Sequence, residues 1–230
     1  MKIFITGIGS GLGEALARLY AEAGEEVYAV SRFLPKSLQG FENLRFAALN
    51  LHSLEKIAPV VEDLLADVEL DLAILNAGIL GELKDMSDTS IHEIETIMNL
   101  NVYANKVILD CLKNRTIKQV VAISSGASVS GARGWNAYSL SKAALNMLIK
   151  LYAAEMPNTH LTALAPGLIQ TPMMEYILTH ADREKFPVVK RLANSTRLDP
   201  RDAAVLLSDN FAKLLEFPSG EYVDIRNIAE

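Results

Sequence analysis

The sequence predicts an α/β fold, a doubly wound parallel sheet of about seven strands with helices on both faces. Short apolar runs alternate with helical patterns along the whole chain, which is typical of βαβ units. Half of the residues are hydrophobic, as expected for strands that are buried on both faces. A glycine-rich stretch separates the first apolar run from the first helical run, as at nucleotide-binding turns.

The apolar runs and helical periodicities set the expected order of elements. Strands are predicted at residues 2–5, 26–30, 44–49, 72–75, 119–123, 162–165 and 221–225. Helices are predicted at about residues 14–20, 54–66, 90–112, 137–153 and 201–215. Ser87 or Asp88 is the expected cap of the third helix, and Pro59 either kinks the second or marks its start. We expect one domain over residues 1–230, with a partly helical lid at about residues 168–198.

The glycine-rich stretch follows the first predicted strand directly. Gly7, Gly11 and Gly13 have a G-x-x-x-G-x-G spacing, and Gly9 adds a further glycine. Glycines permit a tight turn and let the backbone approach a pyrophosphate at the N-terminus of the next helix. The stretch therefore predicts a dinucleotide site. The residues assigned to it are Thr6, Gly7, Gly9, Ser10, Gly11, Leu12 and Gly13.

The end of the second predicted strand indicates which dinucleotide is bound. An acidic residue at this position would bind the ribose 2′-hydroxyl of NAD, but the sequence has Ser31 followed by Arg32. A hydroxyl and a guanidinium bind a 2′-phosphate instead. We therefore predict that NADP(H) is preferred over NAD(H), the alternative being that Arg32 is a solvated loop residue.

Two further strand ends are predicted to contact the cofactor. Asn50 and Leu51 follow the third predicted strand and are expected near the adenine. Asn76, Ala77 and Gly78 follow the fourth. This small turn can lie flat beside a cofactor, although it is also compatible with an ordinary end of a strand.

A tyrosine and a lysine four residues apart predict the chemistry. Tyr138 and Lys142 lie on one face of the predicted helix. A free phenol, with a pKa of about 10, is a poor proton donor at neutral pH. A nearby ammonium favours the phenolate and lowers that pKa, so Tyr138 is predicted to act as general acid or base on an alcohol or carbonyl oxygen.

Other polar residues lie at positions that suggest a function. Ser124 to Ser128 follow the fifth predicted strand, at the sheet edge where active sites of open α/β folds gather. Asn101 lies inside the third predicted helix. Asparagine is a poor interior residue of a helix, so it either bonds a specific partner or is a satisfied core amide.

Composition excludes several classes of function. The net charge is −6, without a basic run, which argues against nucleic acid and anionic membranes as partners. No apolar run approaches the roughly 20 residues of a membrane span, and the first strand leaves no room for a signal peptide. The single Cys111 excludes an internal disulfide, so we expect a cytoplasmic protein. The four histidines are scattered, so no metal site is expected.

These motifs together resemble the short-chain dehydrogenase/reductase family over nearly the whole chain. The motifs that carry the resemblance, in family order, are Thr6-Gly7-x-x-x-Gly11-x-Gly13, Asn76-Ala77-Gly78, Asn101, Ser125, Tyr138-x-x-x-Lys142 and Pro166-Gly167-x-x-x-Thr171. Ser125 precedes Tyr138 by thirteen residues, which is the family's usual spacing. The resemblance implies a Rossmann fold of the compact, single-domain branch.

The resemblance also implies the roles of individual residues. Tyr138 would exchange the proton with the substrate oxygen, Ser125 would hydrogen-bond that oxygen, and Lys142 would lower the pKa of the tyrosine and bind the nicotinamide ribose. Asn101 would hold the active-site helix and a water that links Lys142 to solvent. The residues expected around the nicotinamide are Pro166, Gly167, Ile169 and Thr171. Those expected to border the substrate pocket are Ser125, Ala127, Trp135 and Met173.

The sequence thus predicts an NADP(H)-dependent oxidoreductase that interconverts a carbonyl and an alcohol. The competing hypothesis is a regulatory protein that senses NADP(H) without catalysis, although such a protein would be expected to lose part of the Ser125, Tyr138 and Lys142 set. The two helices near residues 90–112 and 137–153 are candidates for pairing across a two-fold axis. Family members commonly dimerise there, so the resemblance implies a homodimer or homotetramer.

Overall fold

The computed structural model describes residues 1–228 and confirms the doubly wound parallel sheet. Its seven strands pair in the order β3-β2-β1-β4-β5-β6-β7. They are β1 (Lys2–Thr6), β2 (Glu26–Ser31), β3 (Leu44–Ala48), β4 (Leu70–Leu75), β5 (Ile117–Ile123), β6 (His160–Ala165) and β7 (Tyr222–Asp224). All pairings are parallel. Each overlaps a predicted strand. The strand order reverses between β1 and β4, which opens a crevice at their carboxyl ends.

The helices cover both faces of the sheet. They are α1 (Gly11–Glu22), α2 (Leu54–Leu65), α3 (Ile91–Met98), α4 (Ala104–Lys113), α5 (Ala127–Ser130), α6 (Asn136–Glu155), α7 (Pro172–His180), α8 (Pro187–Ala193) and α9 (Pro200–Asn210). Residues of α1 and α9 pack with alternate strand residues on one face, and residues of α2, α4 and α6 do so on the other. Pro59 lies inside α2 and does not mark its start.

The long helix expected at residues 90–112 is interrupted. A π-helical turn spans Asn99–Tyr103 between α3 and α4. The cap of α3 also differs from the prediction: Ser90, not Ser87 or Asp88, accepts a bond from the backbone N–H of Glu93, whose side chain bonds back to Ser90. This is a capping box. Periodicity places Asn101 on a regular helix, whereas the structure places it in the π turn, a feature frequent at functional sites.

The segment expected to form a lid contains α7 and α8 and is fixed at its base. Ile169 and Leu198 form a parallel bridge. The amide of Gln170 donates to the carbonyl of Leu198 (2.9 Å), whose amide donates to the carbonyl of Leu168 (2.9 Å). The segment between Ile169 and Leu198 therefore begins and ends at the same place in the fold.

Helix α6 buries only some of its apolar residues. The spacing of Leu140, Leu145 and Leu151 indicates an apolar stripe that faces the core, yet only Leu145 is buried, and Leu140 and Leu151 are exposed, as is Met147. The polar groups of Tyr138 and Lys142 face inward instead. Among residues 1–228, no helix combines the length and the apolar character needed to cross a membrane.

Candidate active site

The glycine loop between β1 and α1 leaves no room for side chains at two points. Gly7 has φ +76°, and a Cβ there would lie 2.7 Å from the Cα atom of Ala77. A Cβ on Gly13 would lie 2.2 Å from the carbonyl oxygen of Gly7. The absence of both side chains lets the loop backbone pass between the turn after β4 and the start of α1. The loop lines the main cleft, so it fits a dinucleotide whose diphosphate meets the α1 N-terminus.

Two polar side chains hold this loop against the end of β4. The amide of Asn76 donates to the carbonyls of Thr6 (3.1 Å) and Gly7 (3.0 Å). The hydroxyl of Thr6 accepts from the backbone N–H of Ala77 at 3.1 Å. Thr6 is fully buried and is not among the residues that line the cleft. The structure therefore places Thr6 behind the expected cofactor surface, where it supports the loop.

The far end of the cleft contains the residues expected to select the cofactor. The Ser31 hydroxyl donates to the carbonyl of Phe33 at 2.5 Å, which fixes the turn that carries Arg32. Arg32 is exposed, lines the cleft, and forms no ion pair or side-chain hydrogen bond within residues 1–228. The Phe33 ring lies against the loop, because a Cβ on Gly9 would be 3.3 Å from it. Phe33 was not assigned to the site from the sequence, although an aromatic residue next to Arg32 was a possible signal.

The predicted catalytic side chains converge where β5 ends. Ser125 lies in the turn after β5, and Tyr138 and Lys142 project from α6 toward it. All three line the cleft that the glycine loop borders. The Trp135 ring lies beside Tyr138, with the ring centroids 6.0 Å apart. The cleft can thus receive a reacting oxygen next to a phenol and a hydroxyl.

Burial dominates the electrostatics of this site. The Lys142 ammonium donates to the carbonyl oxygen of Ile123 at 2.7 Å and lies 5.8 Å from the centroid of the Tyr138 ring. Burial lowers the pKa of Lys142 from 10.5 to about 8. Burial raises the pKa of Tyr138, and the nearby Ser125 hydroxyl opposes that shift only in part. The pKa of Tyr138 therefore lies above its ordinary value and not below it as expected, because desolvation of the phenolate outweighs the other effects.

Asn101 supports the site from behind. Its Oδ1 accepts from the backbone N–H of Ile79 (2.8 Å), and its Nδ2 donates to the Ile79 carbonyl (2.9 Å) and to the Ser141 hydroxyl (2.9 Å). The Asn105 side chain donates to the Asn101 carbonyl at 2.8 Å. Asn101 is fully buried and does not line the cleft. Asn101 is thus a fully bonded core amide that also joins the turn after β4 to α6.

One cleft of about 800 Å³ collects almost every residue assigned from the sequence. From the expected cofactor set these are Gly7, Gly9, Ser10, Gly11, Leu12, Gly13, Ser31, Arg32, Asn50, Leu51, Asn76, Ala77, Gly78, Tyr138, Lys142, Pro166, Gly167, Ile169 and Thr171. Thr171 also caps α7, because its hydroxyl accepts from the backbone N–H of Met174. Of the assigned residues, Thr6 and Asn101 lie outside the lining.

The part of the cleft beside Tyr138 is lined mostly by apolar residues. The four residues expected to border a substrate, Ser125, Ala127, Trp135 and Met173, all line the cleft, as do the polar residues Arg191 and Ser195. Further lining residues come from the turn after β4, from α7 and from α8: Leu80, Met174, Ile177, Val188 and Leu192. Met174 and Ile177 belong to the segment expected to form a lid over an apolar site. The sequence offered no signal for Leu80, Val188 and Leu192, because they approach the cleft only through tertiary packing.

Comparison with known proteins identifies the family. The family model for short chain dehydrogenases matches residues 1–182, and the protein belongs to this family. It is therefore an oxidoreductase that acts on CH–OH donors, and the family uses a nicotinamide cofactor.

Individual relatives match over nearly the full length of both chains. A benzil reductase ((S)-benzoin forming) from Bacillus subtilis (strain 168) is 27% identical, with 98% of this chain and 99% of that protein covered. A benzil reductase ((S)-benzoin forming) from Bacillus cereus is 30% identical, with 97% and 98% covered. The crystal structure of a short chain dehydrogenase/reductase from Saccharomyces cerevisiae has a TM-score of 0.82 and 21% identity, with 97% and 95% covered; this last similarity concerns the fold.

The buried ammonium of Lys142 should make the free energy of unfolding depend on pH. The folded protein binds this proton less tightly than the unfolded chain, because the pKa falls from 10.5 to about 8. The contribution of Lys142 to the free energy of unfolding should therefore rise as pH increases from about 8 to 10.5, by roughly 3 kcal/mol. Lys142→Met removes this titration. The raised pKa values of Cys111 and Tyr20 act in the opposite direction but are present in both proteins. We therefore expect urea unfolding at a series of pH values to show that the free energy of unfolding of the wild type increases relative to that of Lys142→Met by this amount.

The matched control is Lys150→Met, which changes an exposed lysine on the same helix. Its pH profile should run parallel to that of the wild type. A profile of Lys142→Met parallel to the wild type would show that Lys142 does not lose its proton in this range.

Proposed function

We propose that the protein is an NADP(H)-dependent carbonyl reductase in which Tyr138 exchanges the proton with the substrate oxygen. The observation that carries the proposal is the convergence of Ser125, Tyr138 and Lys142 on one cleft whose other end is the glycine loop. When bound, the cofactor supplies the hydride. In reduction the carbonyl carbon gains that hydride and its oxygen gains the proton, so a ketone becomes an alcohol.

The protonation states of the side chains suit reduction. Burial raises the pKa of Tyr138, so the phenol is protonated at neutral pH, as a proton donor must be. We propose that the positive charge of Lys142 offsets part of this shift, so that the phenol can donate its proton to a carbonyl oxygen. The Ser125 hydroxyl is placed to donate a hydrogen bond to the same oxygen, which stabilises negative charge that develops there. We propose that Lys142 contributes positive charge beside Tyr138 and binds the nicotinamide ribose, and that a water near Asn101 links Lys142 to solvent.

The substrate class follows from the apolar wall and from the relatives. Trp135, Met173, Met174 and Leu192 offer aromatic and flexible apolar surface, which suits an aryl ketone or diketone. Two relatives that align over almost the whole chain are named benzil reductases. We therefore propose an aromatic ketone or 1,2-diketone as substrate, with benzil as the first compound to assay.

The role of Tyr138 can be tested by removing only its hydroxyl. We expect Tyr138→Phe to retain NADPH binding and to lose turnover of benzil by at least roughly a hundredfold, because general acid catalysis typically contributes 10²–10⁴-fold. Absorbance of NADPH measures turnover, and fluorescence titration measures binding. The control is Tyr152→Phe on the same helix, whose hydroxyl bonds Asp110 outside the cleft. Near-normal turnover of Tyr138→Phe would defeat the assignment.

The preference for NADP(H) is proposed to depend on Arg32. Its guanidinium lines the cleft beside Ser31 and has no acidic partner within residues 1–228, so it is available for a 2′-phosphate.

Arg32→Ala should raise the KM for NADPH roughly ten- to hundredfold, the equivalent of one charged hydrogen bond of about 1.5–3 kcal/mol. The KM for NADH should change little, since NADH lacks that phosphate. Steady-state kinetics with both cofactors checks this, and Arg18→Ala, at an exposed position on α1, is the matched control. An equal rise in both constants would contradict a phosphate contact, and a wild type that prefers NADH would contradict the cofactor proposal.

We propose a homo-oligomer that pairs through α6. Leu140, Met147 and Leu151 are exposed on this helix, and their spacing of seven and four places them on one stripe. Burying the stripe against a second copy would remove it from water.

Introducing two charges into that stripe tests the pairing. We expect Met147→Glu/Leu151→Glu to elute as a monomer, because unpaired carboxylates are costly in a buried interface. Light scattering after gel filtration gives the mass, and Met86→Glu, at an exposed residue outside α6, is the control. An unchanged oligomer in the double variant would exclude this face.

We further propose a cytoplasmic location, in keeping with the single, free Cys111.

A further inference from the structure

Helix α6 presents a third polar residue toward the end of β5. Tyr138, Lys142 and Asn146 follow one another at intervals of four, so they lie along one face. Tyr138 lies beside Ser125 in the turn after β5, and Lys142 donates to the carbonyl of Ile123. The proposed chemistry does not use Asn146, yet its side chain reaches the same turn.

Asn146 bonds the residues on both sides of Ser125. The hydroxyl of Ser124 donates to Oδ1 of Asn146 at 2.5 Å. Nδ2 of Asn146 donates to the hydroxyl of Ser128 at 2.9 Å, and that hydroxyl donates to the carbonyl oxygen of Ser125 at 2.6 Å. The hydrogen bonds thus form one chain that runs from Ser124 through Asn146 to the backbone of Ser125.

The direction of this chain demands an amide. The Ser128 hydroxyl donates its only proton to the Ser125 carbonyl, so the hydroxyl oxygen can only accept the bond from Asn146. Ser124 donates, so Asn146 must accept there at the same time. A carboxylate cannot donate and an aliphatic side chain does neither, whereas asparagine does both with one planar group.

The turn that carries Ser125 is bonded to the sheet at its start, where the backbone N–H of Ser124 donates to the carbonyl of Leu164 at 2.7 Å. Helix α5, which follows, spans the four residues Ala127–Ser130 and ends at Gly131 with φ +56°. Within the turn, the backbone N–H of Ser128 donates to the Ser125 carbonyl (3.0 Å), and the N–H of Ala127 donates to the Ser125 hydroxyl (3.1 Å). These bonds set the turn's internal shape, whereas Asn146 connects it to the helix that carries Tyr138.

We propose that Asn146 is a positioning residue: through Ser124 and Ser128 it holds the Ser125 hydroxyl in register with the phenol of Tyr138. The proposal rests on the proposed function, since Ser125 acts on the substrate oxygen. Its physical basis is that small displacements of an orienting group reduce the rate of the chemical step far more than they affect cofactor binding. Ser128 is the intermediate through which the amide acts on Ser125.

The test compares Asn146→Leu, Ser128→Ala and the double variant, with NADPH and benzil as probes. Each single variant should lower kcat roughly ten- to hundredfold, with the KM for NADPH unchanged. The double variant should be little worse than either, because both substitutions break the same chain. Asn158→Leu, the same change at an exposed residue beyond α6, should retain wild-type kinetics.

Amide hydrogen exchange supplies a measurement that is independent of turnover. The amides of Ala127 and Ser128 should exchange faster in Asn146→Leu and Ser128→Ala than in the wild type, because the turn loses its anchor. Unchanged exchange, wild-type kcat in either single variant, or effects of the two substitutions that simply add would overturn the proposal. If the wild type does not reduce benzil, the proposed substrate class fails, while the exchange rates still decide the role of Asn146.

Discussion

A buried lysine that meets a main-chain carbonyl determines how the site is assembled. Lys142 is 3% exposed, and its ammonium donates to the last residue of β5, Ile123. Desolvating a charge is costly unless it is bonded, so α6 can bury this group only in the position that delivers it to the carbonyl. That constraint explains why α6 turns polar residues inward at the site and leaves Leu140 and Leu151 in solvent. The same contact brings the Tyr138 phenol to the strand end where Ser125 lies.

A second constraint acts where the chain switches from β1 to β4. The glycine loop, the Asn76 amide and the buried Thr6 hydroxyl tie the two strand ends together. Asn101 bonds both the turn after β4 and helix α6, so these two elements are also connected. A Cβ on Gly78 would lie 3.4 Å from both Asn101 and Lys142, so the turn after β4 and helix α6 pack closely at this point of the cleft.

Much of this organisation can be predicted from the sequence because it depends on local patterns. Apolar runs mark every strand, and the intervals between glycines and between Tyr138 and Lys142 are fixed by the geometry of a turn and of a helix. Other features depend on contacts between distant segments. The side-chain amide of Asn101, in the π turn, bonds Ile79 and Ser141. The spacing of apolar residues in the sequence does not predict these bonds or the π turn. Choosing Ser90 as the cap of α3 requires knowing that Glu93 bonds back to it, and the direction of the Tyr138 pKa shift depends on burial that only the tertiary structure reveals.

The bridge between Ile169 and Leu198 has an evolutionary consequence. Since the segment containing α7 and α8 departs and returns at a single point, insertions or deletions within it leave the pairing of β6 with β7 untouched. The residues that α7 and α8 contribute to the cleft can then change while the ends of β4 and β5 and helix α6 keep their arrangement. Proteins that share this sheet can therefore differ in one wall of the cleft without a change in the strands.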